Sequence, residues 1–324
     1  MHNFLDPAIL FFVFGVFAGF ARSNLEIPQP ISRFLSLYLL MALGLKGGFA
    51  LNQSGLTAEV AISLGTAMLL AVVVPIIGYV LLRRVLSGFD AAAVAATYGS
   101  VSAVTFITAT QYLENNGHAY GAHMAAAMAL MESPAIIMAV LFANMLRRER
   151  AAAGTPEHDQ PTPLRKILHE SFTDGAQLLL LGAMLVGIIT GDAGKVMMAP
   201  FSIDLFKGML SFFLLDMGLM AARNIGGLRG KSPWLLAYGV AGPLTHAGLA
   251  LALSALFGIA AGDAALLMVL AASASYIAVP AVLRFAIPEA SPSLYFGLSL
   301  GLTFPLNILF GIPLYVAVAH AVLG

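Results

Sequence analysis

The sequence has no cysteine, which excludes disulfides, thiol catalysis and thiolate metal sites. Charge is scarce. Only 10% of the 324 residues are Asp, Glu, Lys or Arg, against about 25% in an ordinary soluble domain. The 16 basic and 16 acidic residues cancel, so no overall basic field exists to attract nucleic acid. No His/Asp/Glu spacing suggests a catalytic metal site and no phosphate-binding loop occurs, which argues against an ATP-driven pump. Met1 to Pro7 carries His2 and Asp6 but no Lys or Arg ahead of the first apolar run, unlike a signal peptide.

What the chain has is apolar length. It is 60% hydrophobic with a mean hydropathy of +0.90, the composition of an integral membrane protein. A helical span needs about 17–25 apolar residues. Such stretches fall near 7–22, 32–51, 58–82, 90–111 and 120–146, then near 172–190, 203–222, 233–257, 263–284 and 293–322. The expected all-α organisation is therefore a first five-span repeat over 1–146, a linker over 147–170 and a second five-span repeat over 171–324. The divider, Arg147 to Glu170, is charged, Pro-bearing and poor in apolar residues, and reads as an exposed linker.

Every arginine, with Lys166 and Lys231, falls on the linker's side of such a topology, and only Lys46, Lys195 and Lys207 fall on the other. The positive-inside rule then places the linker in the cytoplasm and both termini outside. Five spans per half also force the two halves into opposite orientations, so the repeat is inverted.

The fourth stretch is interrupted where hydrocarbon should tolerate no interruption. It reads DAAAVAATYGSVSAVT from Asp90 to Thr105, with Gly99, Ser100, Val101 and Ser102 at its middle. Lipid offers no partner to a free N–H or C=O. Two explanations are open: close packing through small residues, or a broken helix whose ends line a polar cavity, as in transporters built from inverted repeats. The second is favoured because the motif recurs. From Asp263 the chain reads DAALLMVLAASASYIAVP, with Ser273, Ala274 and Ser275 at the offset of Ser100, Val101 and Ser102. Further echoes pair Leu43-Gly44-Leu45-Lys46 with Met217-Gly218-Leu219-Met220, Ser54-Gly55-Leu56 with Gly226-Gly227-Leu228, and Pro134 with Pro305.

Where a helix breaks, the first N–H groups of the following half lack partners and carry about half a positive charge. Such a tip holds an anion without Lys or Arg. Val101, Ser102 and Ala103 are candidate donors at one break, Ser275 and Tyr276 at the other. The freed carbonyls, with the hydroxyls of Ser102, Thr105 and Ser275, are hard oxygen ligands suited to sodium. Glu132, mid-span beside Pro134, is an ionisable group costly enough in a membrane to be a functional candidate. A structural carboxyl at a helix kink is its other explanation. Lys46 is expected to pair with Glu132 or Asp216, or to snorkel. His246 and His123 read as satisfied interior histidines rather than proton relays.

These residues resemble a known family. Gly99 to Thr105 is similar to the G-A-V-S-G-S-T run of the cyanobacterial sodium-dependent bicarbonate transporters, and AASASYIAVPAVLRFAIP to their A-A-S-S-S-D-I-S-G-P-P-T-L-R-A-G-I-P run. Met217-Gly218, Ile225-Gly226, Leu228-Arg229 and Ile312-Pro313-Leu314 also match. The resemblance implies ten transmembrane helices in two inverted five-helix repeats, with broken helices 4 and 9 crossing at the midplane. It also implies a homotrimer in a bacterial inner membrane, import of bicarbonate with sodium, and control from the cytoplasm by a PII-like regulator. With the half-helix ends placed at this crossing, the expected substrate contacts are Gly99, Ser100, Val101, Ser102, Ala103, Ser273, Ala274, Ser275 and Tyr276. The cation contacts would be Ser102, Thr105, Ser275 and Glu132. No cofactor is implied beyond sodium as the coupling ion.

This chain departs from the family at Tyr276, where Asp is usual, at Ala278 and Val279 in place of Ser and Gly, and at Met220 in place of Glu. Glu132, in MESP, replaces an Asp preceding Ile-Pro. The missing Asp predicts a weaker sodium dependence. A cation/proton antiporter of the same architecture would want a pair of acidic residues at the crossing, which Tyr276 and Ala103 do not supply. An intramembrane enzyme would need a base beside a serine, and none is placed there.

Overall fold

The computed structural model describes residues 6–55, 57–152, 175–228 and 230–324. Every element among them is helical. Helices α1 (Pro7–Phe20), α2 (Gln29–Ser54) and α3 (Ala58–Leu82) are followed by two half-length helices, α4 (Gly88–Gly99) and α5 (Ala103–Asn115), then by α6 (Met124–Ala152). The later part comprises α7 (Gly175–Ala199), α8 (Phe206–Asn224), α9 (Pro233–Phe257), the half-length α10 (Ala261–Ala272) and α11 (Ala278–Ala286), and α12 (Pro292–Leu323).

Seven helical runs are long and apolar enough to cross a membrane. One of them, Leu178–Leu228, has 51 residues, far more than the ~20 that one crossing needs. It is interrupted inside α7 at Gly191, whose φ of 52° is a left-handed conformation that glycine adopts without steric cost. The kink is held against α2, where Asn52 Nδ2 donates to the Ile188 carbonyl at 2.9 Å and Gln53 Nε2 to Asp192 at 2.6 Å. The protein is thus a multi-pass all-α membrane protein.

Local chemistry starts the helices. Asp6 accepts the Ala8 N–H at 2.8 Å ahead of Pro7, and Ser87 accepts that of Asp90 at 3.1 Å. These are N-caps satisfying donors that have no intrahelical partner. Pro75, Pro134 and Pro243 lie inside α3, α6 and α9, and each leaves a carbonyl one turn earlier without its usual donor. For Pro243 that carbonyl is Gly239, which accepts the Thr303 hydroxyl at 2.8 Å.

Two glycine seams bring backbones together. α1 packs on α8 and α2 on α7. A Cβ on Gly15 would collide with the Leu215 carbonyl, and one on Gly218 with that of Phe12. At the other seam, a Cβ on Gly48 would collide with the Met184 carbonyl, and one on Gly187 would lie 2.7 Å from that of Leu45. With little hydrophobic drive between helices in lipid, this contact is what small residues provide. α4 and α10 are enclosed on nearly every side, from Ala91 to Gly99 and from Gly262 to Ala272. Exposed apolar side chains such as Phe17, Ile189, Val196 and Leu256 instead face outwards from the peripheral helices.

Two expectations are corrected. α6 continues through Arg147 to Ala152, so the exposed linker does not begin at Arg147. The Arg147 side chain is 4% exposed and makes a two-pronged contact with Glu289, 2.9 Å at each prong, plus a bond to the Ala286 carbonyl at 3.0 Å. Residues 153–170 of the linker lie outside the described residues, as does Leu56. Lys46 pairs with neither Glu132 nor Asp216. It lies 3.5 Å from Glu114 and over the Phe206 ring at 4.4 Å, while Asp216 accepts the Ser32 hydroxyl.

Candidate functional site

The interruptions expected from the hydroxyl motifs are present. α4 ends at Gly99 because the chain turns extended at Ser100, with φ −93° and ψ −178°, and α5 resumes after Ser102, also extended. Gly99 itself rests on the Pro75 ring, where a Cβ would come within 2.6 Å. α10 ends at Ala272, Ser273 is extended, and α11 resumes at Ala278.

The two interruptions meet. Ser102 N–H donates to Ser273 Oγ at 3.0 Å, and Ser275 N–H donates to the Thr97 carbonyl at 2.8 Å. Thr97 has lost its helical donor because residue 101 is no longer helical, so each break supplies a partner the other needs. Several further loose ends are also engaged. Ser273 Oγ donates to the Leu270 carbonyl at 2.8 Å, Asn307 Nδ2 to that of Ala272 at 2.8 Å, and Tyr315 holds Asn307 at 3.0 Å. Asn307 opens one of two π-helical stretches in α12, Gly297–Thr303 and Asn307–Gly311. Widened turns of this kind recur at functional sites, and here one aims an amide at a broken helix.

Beside the crossing lies a small cavity of about 50 Å³. Val101, Ser102, Ala103, Glu132, Ser275 and Tyr276 line it, and Val104 and Met128 help to close it. Ala103 and Val104 open α5, so helix geometry leaves their N–H groups without an intrahelical acceptor. The Ser102 side chain is occupied as the α5 cap, accepting the Thr105 N–H at 3.2 Å and its hydroxyl at 2.9 Å. The Tyr276 ring packs edge-on against Phe304, with centroids 5.1 Å apart. Its hydroxyl is close to that of Ser102 but has no partner with hydrogen-bonding geometry among the described residues. Tyr276 thus brings a buried phenol without such a partner into the cavity wall, where a buried hydroxyl normally has one.

The other candidate residues sit around this cavity rather than in it. Gly99, Ser100, Thr105, Ser273 and Ala274 do not line it. Thr105 and Ser273 act through Ser102, as above. Ser100 is buried, its hydroxyl without a partner among the described residues, and Ala274 is packed in the apolar core. Sequence reasoning did not single out Ser36, Leu40, Ala176 and Leu180, which complete the lining from α2 and α7. They are ordinary apolar-helix residues, and only the tertiary packing brings them to the break. His246 contacts the Ala271 backbone, though its Nδ1 has no partner among the described residues. His123 Nε2 lies 3.4 Å from Asp263 without hydrogen-bonding geometry. Among the described residues no three His, Asp or Glu gather as a metal site.

The model of the Na+-dependent bicarbonate transporter superfamily matches residues 7–320, almost the whole chain. The chain belongs to that superfamily. As a member it is a transporter, not an enzyme. A search of curated proteins finds no match. Membership accounts for the apolar helices and for a polar crossing enclosed among them, since a transporter must hold an ion or small solute away from lipid.

Proposed function

We propose that this superfamily member is a secondary active transporter that carries bicarbonate or a similar small monovalent anion, coupled to sodium. The observation that carries the proposal is the exchange of hydrogen bonds between the two breaks, beside a cavity lined by the first turn of α5. The anion is held by the N–H groups of Ala103 and Val104, by the Tyr276 hydroxyl and by the dipole of α5. Sodium takes hard oxygens: the hydroxyls of Ser102, Thr105 and Ser275, with Glu132 on the cavity wall balancing its charge. Gly99, Ser100, Ser273 and Ala274 shape the backbone that presents these groups.

The same reading makes the chain ten spans in two inverted sets of five. α4 with α5 and α10 with α11 each form one crossing, and the run from Leu178 to Leu228 forms two. The packing supports it. The contact of α1 on α8 exchanges with that of α2 on α7, α3 on α4 with α9 on α10, and α4 on α6 with α10 on α12. Each is the image of the other under an exchange of halves. α1, α2, α7 and α8 then form a scaffold, and the remaining helices form a core that moves against it to expose the crossing to either side. Both termini lie outside and the linker in the cytoplasm of a bacterial cell. A homotrimer and a PII-like regulator rest on the resemblance alone.

A cation/proton antiporter of this architecture needs acidic residues paired at the crossing. The cavity offers Glu132 as its one carboxylate, so anion transport is preferred. Uptake of labelled bicarbonate into vesicles containing the purified protein, with and without an inward sodium gradient, tests the proposal. Uptake stimulated by the gradient is expected. Absence of bicarbonate uptake under both conditions would contradict it.

A further inference from the structure

A cavity larger than the one at the crossing lies away from it. About 360 Å³ lies between α2, α5, α6 and the segment that follows the Gly191 kink, lined by Lys46, Lys195, Glu114, Tyr120, Phe49 and Phe106 among others. It shares its walls with the crossing cavity. On α2, Ser36 and Leu40 face the crossing, while Leu43 and Ala50 face this second cavity. These residues follow one another along a single helix face. On α6, Glu132 and Met128 face the first and Ala125 the second. The two cavities therefore lie in line along one seam, with the crossing cavity at the linker end.

The charge here is unusual for the face it occupies. The sequence has three basic residues away from the linker side, Lys46, Lys195 and Lys207. Two of them meet here, and the third lies nearby. Lys46 and Lys195 line the cavity, and Lys207 donates to Asn115, next to Glu114, at 3.0 Å. Glu114 is shared among Lys46 at 3.5 Å, the Tyr120 hydroxyl at 2.8 Å and Gln111 at 3.5 Å, so one carboxylate is divided among several donors. Lys195 has no carboxylate within ion-pair distance among the described residues. The cavity thus carries one lysine more than its carboxylate can offset.

We propose that this cavity is a second binding site, an outer antechamber in which Lys195 and Lys46 collect a small hydrated oxyanion before it passes to the crossing. Its chemical class is that of the transported anion, so the proposal rests on the anion-transport reading and its orientation. The sizes agree with this division. At 360 Å³ against 50 Å³, the outer cavity takes an anion with its water shell, and the inner one takes the anion stripped of it. Lys46 at the wall is already engaged with Glu114 and Phe206. The site is therefore weak and exchanges quickly, as an antechamber requires.

The absence of cysteine makes the test direct. Ala50→Cys places a single thiol in the antechamber wall. Its labelling rate is compared for an anionic and a cationic methanethiosulfonate reagent, each normalised to a free thiol in solution. The expected result is preference for the anionic reagent, reduced about three- to fivefold by Lys195→Gln. Sodium bicarbonate should slow the labelling saturably relative to sodium HEPES at matched pH and ionic strength. Equal rates for the two reagents, or anionic preference with no protection by bicarbonate, overturns the proposal. Labelling needs no transport, so it is independent of the vesicle assay. Failed bicarbonate uptake with an intact labelling pattern would remove the proposed function and leave the anion site standing.

Discussion

Asp90 accepts the backbone N–H of Ser291 at 2.8 Å, across 201 positions of sequence. Asp263, which opens the second Asp-Ala-Ala, does the same in reverse, accepting the Gly121 N–H at 2.5 Å across 142 positions. Each carboxylate opens a half-helix leading into a break, and each holds the segment just before the last long helix of the opposite half. The shared Asp-Ala-Ala is therefore a mutual latch between the two halves of the chain.

Loss of either latch should weaken the fold by a similar amount. A charge-assisted hydrogen bond contributes about 1.5–3 kcal/mol, and removing the acceptor also leaves a donor unpaired. Asp90→Ala and Asp263→Ala are each expected to lower the unfolding temperature of the purified protein. The check is thermal unfolding in detergent. A normal midpoint for either variant would show that its latch carries no weight.

The glycine seams give a prediction with an internal control. Gly48→Ala forces a methyl into the Met184 carbonyl, and overpacking of this kind costs about 1–3 kcal/mol. Gly65→Ala, in α3, meets nothing within 4 Å and should be neutral or stabilising by about 0.5–1 kcal/mol. Unfolding midpoints of the two variants should therefore move in opposite directions or differ clearly in size.

At the crossing, Ser273→Ala removes the acceptor of the Ser102 N–H and the donor to Leu270 while changing almost no volume. A buried donor left without a partner costs about 1–3 kcal/mol. The variant should insert in the membrane normally yet lose transport about tenfold or more, as bicarbonate uptake would read. Wild-type uptake would mean that the bond between the breaks is not needed to hold the site.

The apolar stretches, the position of each break and the match between the two breaks could be read from the sequence. They depend on local composition: hydroxyls and glycine inside an apolar run have few explanations. The neighbours of the breaks could not be read. Lys46 finds Glu114 rather than Glu132 because the choice depends on how α2 lies against α5, 68 positions away. Arg147 looked like linker because a charge run is normally solvated, and only the fold supplies Glu289 to bury it. The kink at Gly191 and the π-helical stretches of α12 are backbone adjustments with no distinctive residue pattern.

Tyr276 separates stability from function. Its hydroxyl, close to that of Ser102, has no hydrogen-bond partner among the described residues, so Tyr276→Phe should leave the unfolding temperature nearly unchanged. If the hydroxyl donates to the anion, the same change raises the bicarbonate KM about tenfold, the effect of losing roughly 1.4 kcal/mol. Tyr276→Asp should steepen the sodium dependence by restoring the family's carboxylate. A titration of uptake against bicarbonate and sodium reads both. Unchanged kinetics in Tyr276→Phe would reduce the tyrosine to packing.

The claim on which the account depends is that the anion lies between the two breaks. A structure determined experimentally in saturating sodium bicarbonate tests it most directly. The account predicts density for a small anion within hydrogen-bonding distance of the Ala103 and Val104 N–H groups and of the Tyr276 hydroxyl. An anion bound elsewhere in the core, with this cavity filled only by water, would contradict it.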